Sequence, residues 1–201
     1  MAIEQINLSS IKQRDISSAR ILGTIGMLAS PMLLIEWLLF TYIYRGENQN
    51  GRIVGLLGII YTIGWACSLI GIRRLKALSR NLAGDILFVV QLAGVSLAFT
   101  QSVMELTQLN IASQNLLFQI TDAAWPLSHL FMIIVGIYVL ASRIWQGWRS
   151  VTPLLCGLAL PLFFALAALG ARGIGSFVFG AATTIAFMLL GNAVRTSDER
   201  S

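Results

Sequence analysis

Charge is scarce in this sequence. Only 11% of its 201 residues are Asp, Glu, Lys or Arg, against about 25% in an ordinary soluble domain. Histidine occurs once, as His129, and cysteine twice, as Cys67 and Cys156. One histidine cannot ligate a b-type haem on both faces. No CxxC or Cys/His spacing suits zinc. The methionines show no repeated Met-x-x-Met spacing of the kind that would hold copper(I). G-x-S-x-G, H-E-x-x-H and an Asp pair at intramembrane-protease spacing are missing as well. No cofactor and no metal are therefore expected. Both cysteines lie inside apolar runs and read as small core residues rather than a disulfide.

What fills the space is apolar. Hydrophobic residues make up 56% of the chain, and the mean hydropathy is +0.76. The net charge of +5 does not form one patch that would suit nucleic acid. The basic residues alternate with apolar runs, which is the pattern of membrane topology.

A spanning helix needs roughly 20 apolar residues, and six runs qualify: 21–44, 53–72, 84–105, 120–142, 151–171 and 173–194. The expected fold is all-α, one bundle of six transmembrane helices in a single domain over 21–194. It is flanked by an N-terminal segment, 1–20, and a short tail, 195–201. The last two runs are almost continuous and are separated only at "GARG". The length forces a tight turn there, and glycine supplies the positive φ such a turn needs. The polar N-terminal stretch ahead of the first run marks it as an uncleaved anchor rather than a signal peptide. Two short interfacial helices are also expected. One lies within the first sixteen residues, with Ile3, Ile6 and Ile11 as its apolar positions. The other lies in the basic-free segment "ELTQLNIASQNLLFQIT", 105–121.

Orientation follows from lysine and arginine in the loops. Eleven fall in the N-terminal segment, the loops after runs two and four, and the tail; three (Arg45, Arg52, Arg172) fall on the other side. This bias places both termini in the cytoplasm and the protein in the plasma (inner) membrane.

Ionisable groups inside a bilayer cost about 2.5–3.5 kcal/mol at its centre on insertion scales, so each one asks for a reason. Glu36 lies in the first run and His129 in the fourth. At 1.5 Å rise per residue both fall about 5 Å outward of mid-span, so a Glu36–His129 pair is geometrically allowed. The stretch "TDAAWPLSH" adds Asp122 and Trp125 on the face of His129, since seven residues return to within about 20° of the start. Pro126 frees the carbonyl of Asp122. Gln101 and Glu105, four apart, share a face of the third run. Together these six residues form an expected polar cluster in the outer half of the bundle, suited to a small solute, an ion or a proton; histidine titrates near neutral pH. Each also has a structural reading: Asp122 as a helix N-cap, Trp125 as an interfacial anchor, His129 as a hydrogen-bonding partner for a neighbouring helix.

Three function classes follow. The first is binding or transport through the outer cluster. The second is a non-catalytic membrane subunit, assembling with a partner or with itself through small-residue helix faces: Gly55, Gly58, Gly64, Gly71, Ser176 and Gly180. The third, an enzyme on a lipid-like substrate using Glu36, Asp122 and His129, is the least supported, because a catalytic constellation shows more polar groups. Polar residues are thin in the inner half (Gln91, Thr183, Thr184, Asn192), which favours a one-sided site or assembly over a continuous path.

Overall fold

The computed structural model describes residues 17–43, 51–109 and 116–197. Among them are six helices long and apolar enough to cross a membrane. The first, α1, is the span Ser17–Ile43. It is followed by α2 (Gly51–Arg74), α3 (Leu82–Thr107), α4 (Leu116–Ser142), α5 (Trp148–Ala168) and α6 (Arg172–Thr196). The interfacial helix expected over the first sixteen residues lies outside the described residues. The one expected over 105–121 is largely absorbed by its neighbours: α3 continues through Thr107 and α4 begins at Leu116, with 110–115 outside the described residues.

The spans exceed the apolar runs because polar and basic groups are satisfied at the helix ends. Arg73 and Arg74 sit in the last turn of α2, where cations meet the negative end of the helix dipole. Arg73 then donates to the Leu78 and Ser79 carbonyls at 3.2 and 3.1 Å and pairs with Asp85 in the first turn of α3. Asn81 caps α3 by accepting from the Gly84 amide at 2.8 Å.

The turn between α5 and α6 is a Schellman motif. The Gly170 amide donates to the Ala167 carbonyl and the Ala171 amide to the Leu166 carbonyl, with Gly170 at φ +81°, which is the geometry that ends helices on a left-handed residue. A Cβ on Gly170 would meet nothing within 4 Å. The cost of Gly170→Ala is therefore conformational alone, about 1 kcal/mol. A small drop in thermal stability is expected, measured by unfolding in detergent; an unchanged melting temperature would show that the turn is not strained by a side chain.

Consecutive helices pack antiparallel, and α6 returns against both α1 and α2, closing a ring. The helices α2, α4 and α6 run the same way, and their side chains meet at its centre. At one end of the bundle lie Arg20, Arg73, Arg74, Arg149 and Arg195; at the other lie Glu36, Glu105 and Asp122. These are called the basic end and the acidic end below.

Glycine sets how closely the helices approach. A Cβ on Gly23 of α1 would stand 2.5 Å from the Gly191 carbonyl oxygen and 2.6 Å from the Arg195 amide nitrogen of α6, so the two backbones are in contact. Gly157 of α5 meets the Ile133 amide of α4 in the same way. The small-residue stripe of α2 faces the same chain throughout: Gly55 abuts Ser102 and Leu106, Gly64 abuts Ala29, and Gly71 abuts Val194.

The first helix is broken at mid-span. Pro31 has no amide to give; the Ser30 amide reaches only the Met27 carbonyl, at 3.4 Å, and the ladder restarts with the Ile35 amide on the Pro31 carbonyl. The Ser30 hydroxyl also donates to the Met27 carbonyl at 2.7 Å, and Thr184 of α6 donates to the Ser30 carbonyl at 3.3 Å. Both helices keep polar groups paired at the break. Pro126, by contrast, lies inside a continuous α4. Toward the basic end the interior is mostly apolar: Leu69, Ile72, Leu78, Val135, Val139, Leu190 and Val194 are fully buried, with Ser68 and Gln91 buried in the same half.

Candidate functional site

His129 is 1% exposed. Its Nδ1 lies 3.2 Å from the Trp125 carbonyl, four residues back on its own helix, and its Nε2 lies 3.2 Å from the Tyr61 hydroxyl of α2. A carbonyl can only accept, so in the neutral ring Nδ1 carries the hydrogen and Nε2 accepts from Tyr61. Both nitrogens are thus occupied, and the Glu36–His129 pair that equal depth allows is not formed.

Five aromatic rings enclose the imidazole. Tyr61 and Trp125 lie nearly parallel to it, at interplanar angles of 2° and 14°, and stack on each other at 5.5 Å. Trp65 stands edge-on at 4.5 Å, with Phe179 at 5.6 Å and Phe187 at 6.2 Å. Offset parallel and edge-to-face arrangements are the favourable ones for such rings. Five buried polar atoms among the described residues have no hydrogen-bond partner: Trp65 Nε1, Ser68 Oγ, Gln91 Oε1, Ser128 Oγ and Thr183 Oγ1. Thr183 sits midway between Phe179 and Phe187 on α6.

The other predicted residues gather nearer the acidic end. Gln101, 1% exposed, accepts from the Thr121 hydroxyl at 2.7 Å, and its amide nitrogen lies 3.4 Å from Oε1 of Glu105. Glu36 of α1, Glu105 of α3 and Asp122 of α4 all lie at the acidic end of the bundle. The α3 backbone at Ser102 and Leu106 lies directly on Gly55 in the first turns of α2. Among the described residues none of the three carboxylates is in an ion pair. Glu36 and Glu105 are half-buried, whereas Asp122 is exposed. Asp122 is not the N-cap of α4, which starts six residues earlier at Leu116.

The six predicted residues therefore separate into two groups. Glu36, Glu105 and Gln101 belong to a carboxylate–amide group, with Asp122 at its exposed edge. Trp125 and His129 belong to an aromatic group below it. Thr121 and Trp125, one turn apart on α4, connect the two. Sequence reasoning did not single out Tyr61, Trp65, Thr121, Phe179 or Phe187. A signal exists for the first two: they are four apart on α2, each an aromatic ring with a polar tip in an otherwise aliphatic helix. Nothing local marks the two phenylalanines as neighbours of a histidine. Among the described residues no three of His, Cys, Asp and Glu come together as a metal ion requires.

No protein-family model matches the chain, and neither the curated proteins nor the solved structures contain a match to it.

Proposed function

We propose that this protein binds a small cationic solute from the acidic end of its bundle, as an integral protein of the plasma membrane with both termini in the cytoplasm. The observation that carries the reading is that Glu36 and Glu105, from two different helices at the acidic end, are half-buried with no ion-pair partner among the described residues, and that the buried amide of Gln101 bonds Glu105 at 3.4 Å. Half-buried carboxylates without a counter-ion are costly in a membrane protein, and a bound cation relieves that cost. Trp125, half-buried, lies deeper on the same side, and aromatic rings attract organic cations. The charge bias of the loops supports the orientation.

The reading is binding from one side rather than conduction. Toward the basic end the interior is mostly fully buried aliphatic residues, with Ser68 and Gln91 as scattered polar groups, and an uncompensated charge there would be expensive.

The test is thermal unfolding of the purified protein in detergent with tetramethylammonium, guanidinium, sodium and potassium chlorides at matched ionic strength. A ligand at about 100 times its Kd stabilises by about 2.7 kcal/mol. At least one organic cation is expected to raise the melting temperature of the wild type and not that of Glu36→Gln or Glu105→Gln. If all four salts act alike on the wild type, the reading fails.

A further inference from the structure

The first helix packs unevenly along its length. In its basic-end half Ala19, Gly23, Gly26, Ala29 and Ser30 are buried, close to the three- and four-residue spacing that lays one helix face on its neighbours. Backbones are in contact there: a Cβ on Gly23 would stand 2.5 Å from the Gly191 carbonyl oxygen of α6, and one on Gly64 of α2 would stand 2.3 Å from the Ala29 Cβ. In the acidic-end half, residues 31–43, none is buried. That half leans on α6 through Leu34, whose Cα lies 3.2 Å from where a Cβ on Gly180 would stand, and through Trp37, whose ring centre is 5.1 Å from that of Phe177. The fit is looser than at Gly23. We propose that residues 31–43 form an arm that swings about the Ser30–Pro31 break, while the rest of α1 stays fixed on α2 and α6.

The hydrogen bonds at the break permit a bend. The Ser30 amide and hydroxyl both donate to the Met27 carbonyl, on the fixed side, at 3.4 and 2.7 Å. The Ile35 amide donates to the Pro31 carbonyl at 2.9 Å, within the arm. A change of angle between Ser30 and Pro31 leaves each of these bonds in place, and helices kink at proline for this reason. Thr184 of α6, donating to the Ser30 carbonyl at 3.3 Å, holds the fixed side of the pivot. Beyond the break the α-helix lasts from Met32 to Leu38 and gives way to a π-helix over Leu39–Ile43, a form found at functional positions of longer helices. The arm is thus a short regular rod with an irregular turn at each end.

Glu36 lies in that rod. Its half-buried carboxylate travels with the arm, whereas Gln101 and Glu105 stay on α3, where the Thr121 hydroxyl of α4 holds Gln101 at 2.7 Å. The swing therefore opens and closes the acidic end of the bundle. Its consequence for a bound cation rests on the reading given above; the swing itself does not, and it is measured with no organic cation added.

The experiment is double electron–electron resonance on the full-length protein in lipid nanodiscs, with Cys67→Ala and Cys156→Ala as background. Spin labels on Leu38→Cys/Ile120→Cys span the acidic end from α1 to α4, and labels on Ile21→Cys/Ile137→Cys span the basic end between the same helices. All four side chains are exposed. Leu38 lies about 10 Å beyond the break, so a swing of about 20° displaces it by about 4 Å. The acidic-end distances are expected to spread over about 4 Å more than the basic-end ones. Pro31→Ala restores an amide for the Met27 carbonyl and should narrow the acidic-end distances to the basic-end width. Gly180→Leu adds bulk beneath Leu34; it should shift the acidic-end mean and leave the basic-end mean in place, and it decides the matter if Pro31→Ala does not fold. Equal widths for the two pairs without these variants overturn the proposal. So does a spread that persists in folded Pro31→Ala, or an acidic-end mean unmoved by Gly180→Leu.

Discussion

Gly23→Leu is expected to detach the first helix from the sixth. At this position even a methyl group would lie 2.5 Å from the Gly191 carbonyl oxygen and 2.6 Å from the Arg195 amide nitrogen, and both obstacles are backbone. Neither helix has a flexible side chain there that could turn away. Overpacking of a well-packed interior costs typically 1–3 kcal/mol. A clash between two backbones belongs at or above the upper figure, about 3 kcal/mol, corresponding to a fall of about 10 °C in melting temperature for a chain of this size. The partner residue gives the same answer from the other side, since a Cβ on Gly191 would stand 2.7 Å from the Gly23 carbonyl oxygen and from the Met27 amide nitrogen. Thermal unfolding of Gly23→Leu and Gly191→Leu in detergent checks this. Wild-type stability in both variants would mean that α1 does not pack on α6 through these glycines.

The second large effect is expected at His129. Truncation to alanine empties a space bounded by five aromatic rings and leaves the Tyr61 hydroxyl with no acceptor. Cavity formation and the orphaned donor together cost about 3 kcal/mol. Tyr61→Phe removes only the hydroxyl and should cost about 1 kcal/mol, in line with the modest worth of interhelical hydrogen bonds in membrane proteins. The informative variant is the double one, Tyr61→Phe/His129→Phe. It keeps the rings and removes both polar tips, and replacing both partners of a buried hydrogen bond by apolar groups of similar shape is nearly neutral. It should therefore be markedly more stable than His129→Ala. A double variant as unstable as the alanine would show that the histidine is held by something other than ring packing and the Tyr61 hydrogen bond.

These two expectations rest on different kinds of information. Six apolar runs were legible because a bilayer imposes length and composition on anything that crosses it. A proline at position 31 or 126 could be read as a perturbation of its helix, but not as a break in one case and an uninterrupted helix in the other. The outcome depends on whether neighbours such as Thr184 donate to the carbonyls left at the break. The polar residues Glu36, Gln101, Glu105, Asp122, Trp125 and His129 were legible for the same reason as the runs: each is conspicuous against hydrocarbon.

Their partners were not legible, because helical depth fixes only one coordinate of three. Helical rise alone puts Glu36 and His129 at one depth, yet His129 turns toward the axis between α2, α4 and α6 and bonds Tyr61, while Glu36 makes no hydrogen bond to it. Rotation about each helix axis is set by packing, and packing here is set by glycines whose opposite numbers lie far away in sequence, Gly23 against Gly191 and Gly55 against Ser102 and Leu106. Composition and periodicity by themselves determined that this chain has six helices apt to cross a membrane, and which few residues are costly to bury there. Only the tertiary structure decided that the histidine is spent on Tyr61 and an aromatic enclosure, that Gln101 is buried between Thr121 and Glu105, and that Arg20 and Arg195 line one groove at the opposite end. The physical reason is that burial cost is a property of a residue and its depth, whereas a partner depends on how six helices rotate and close on one another.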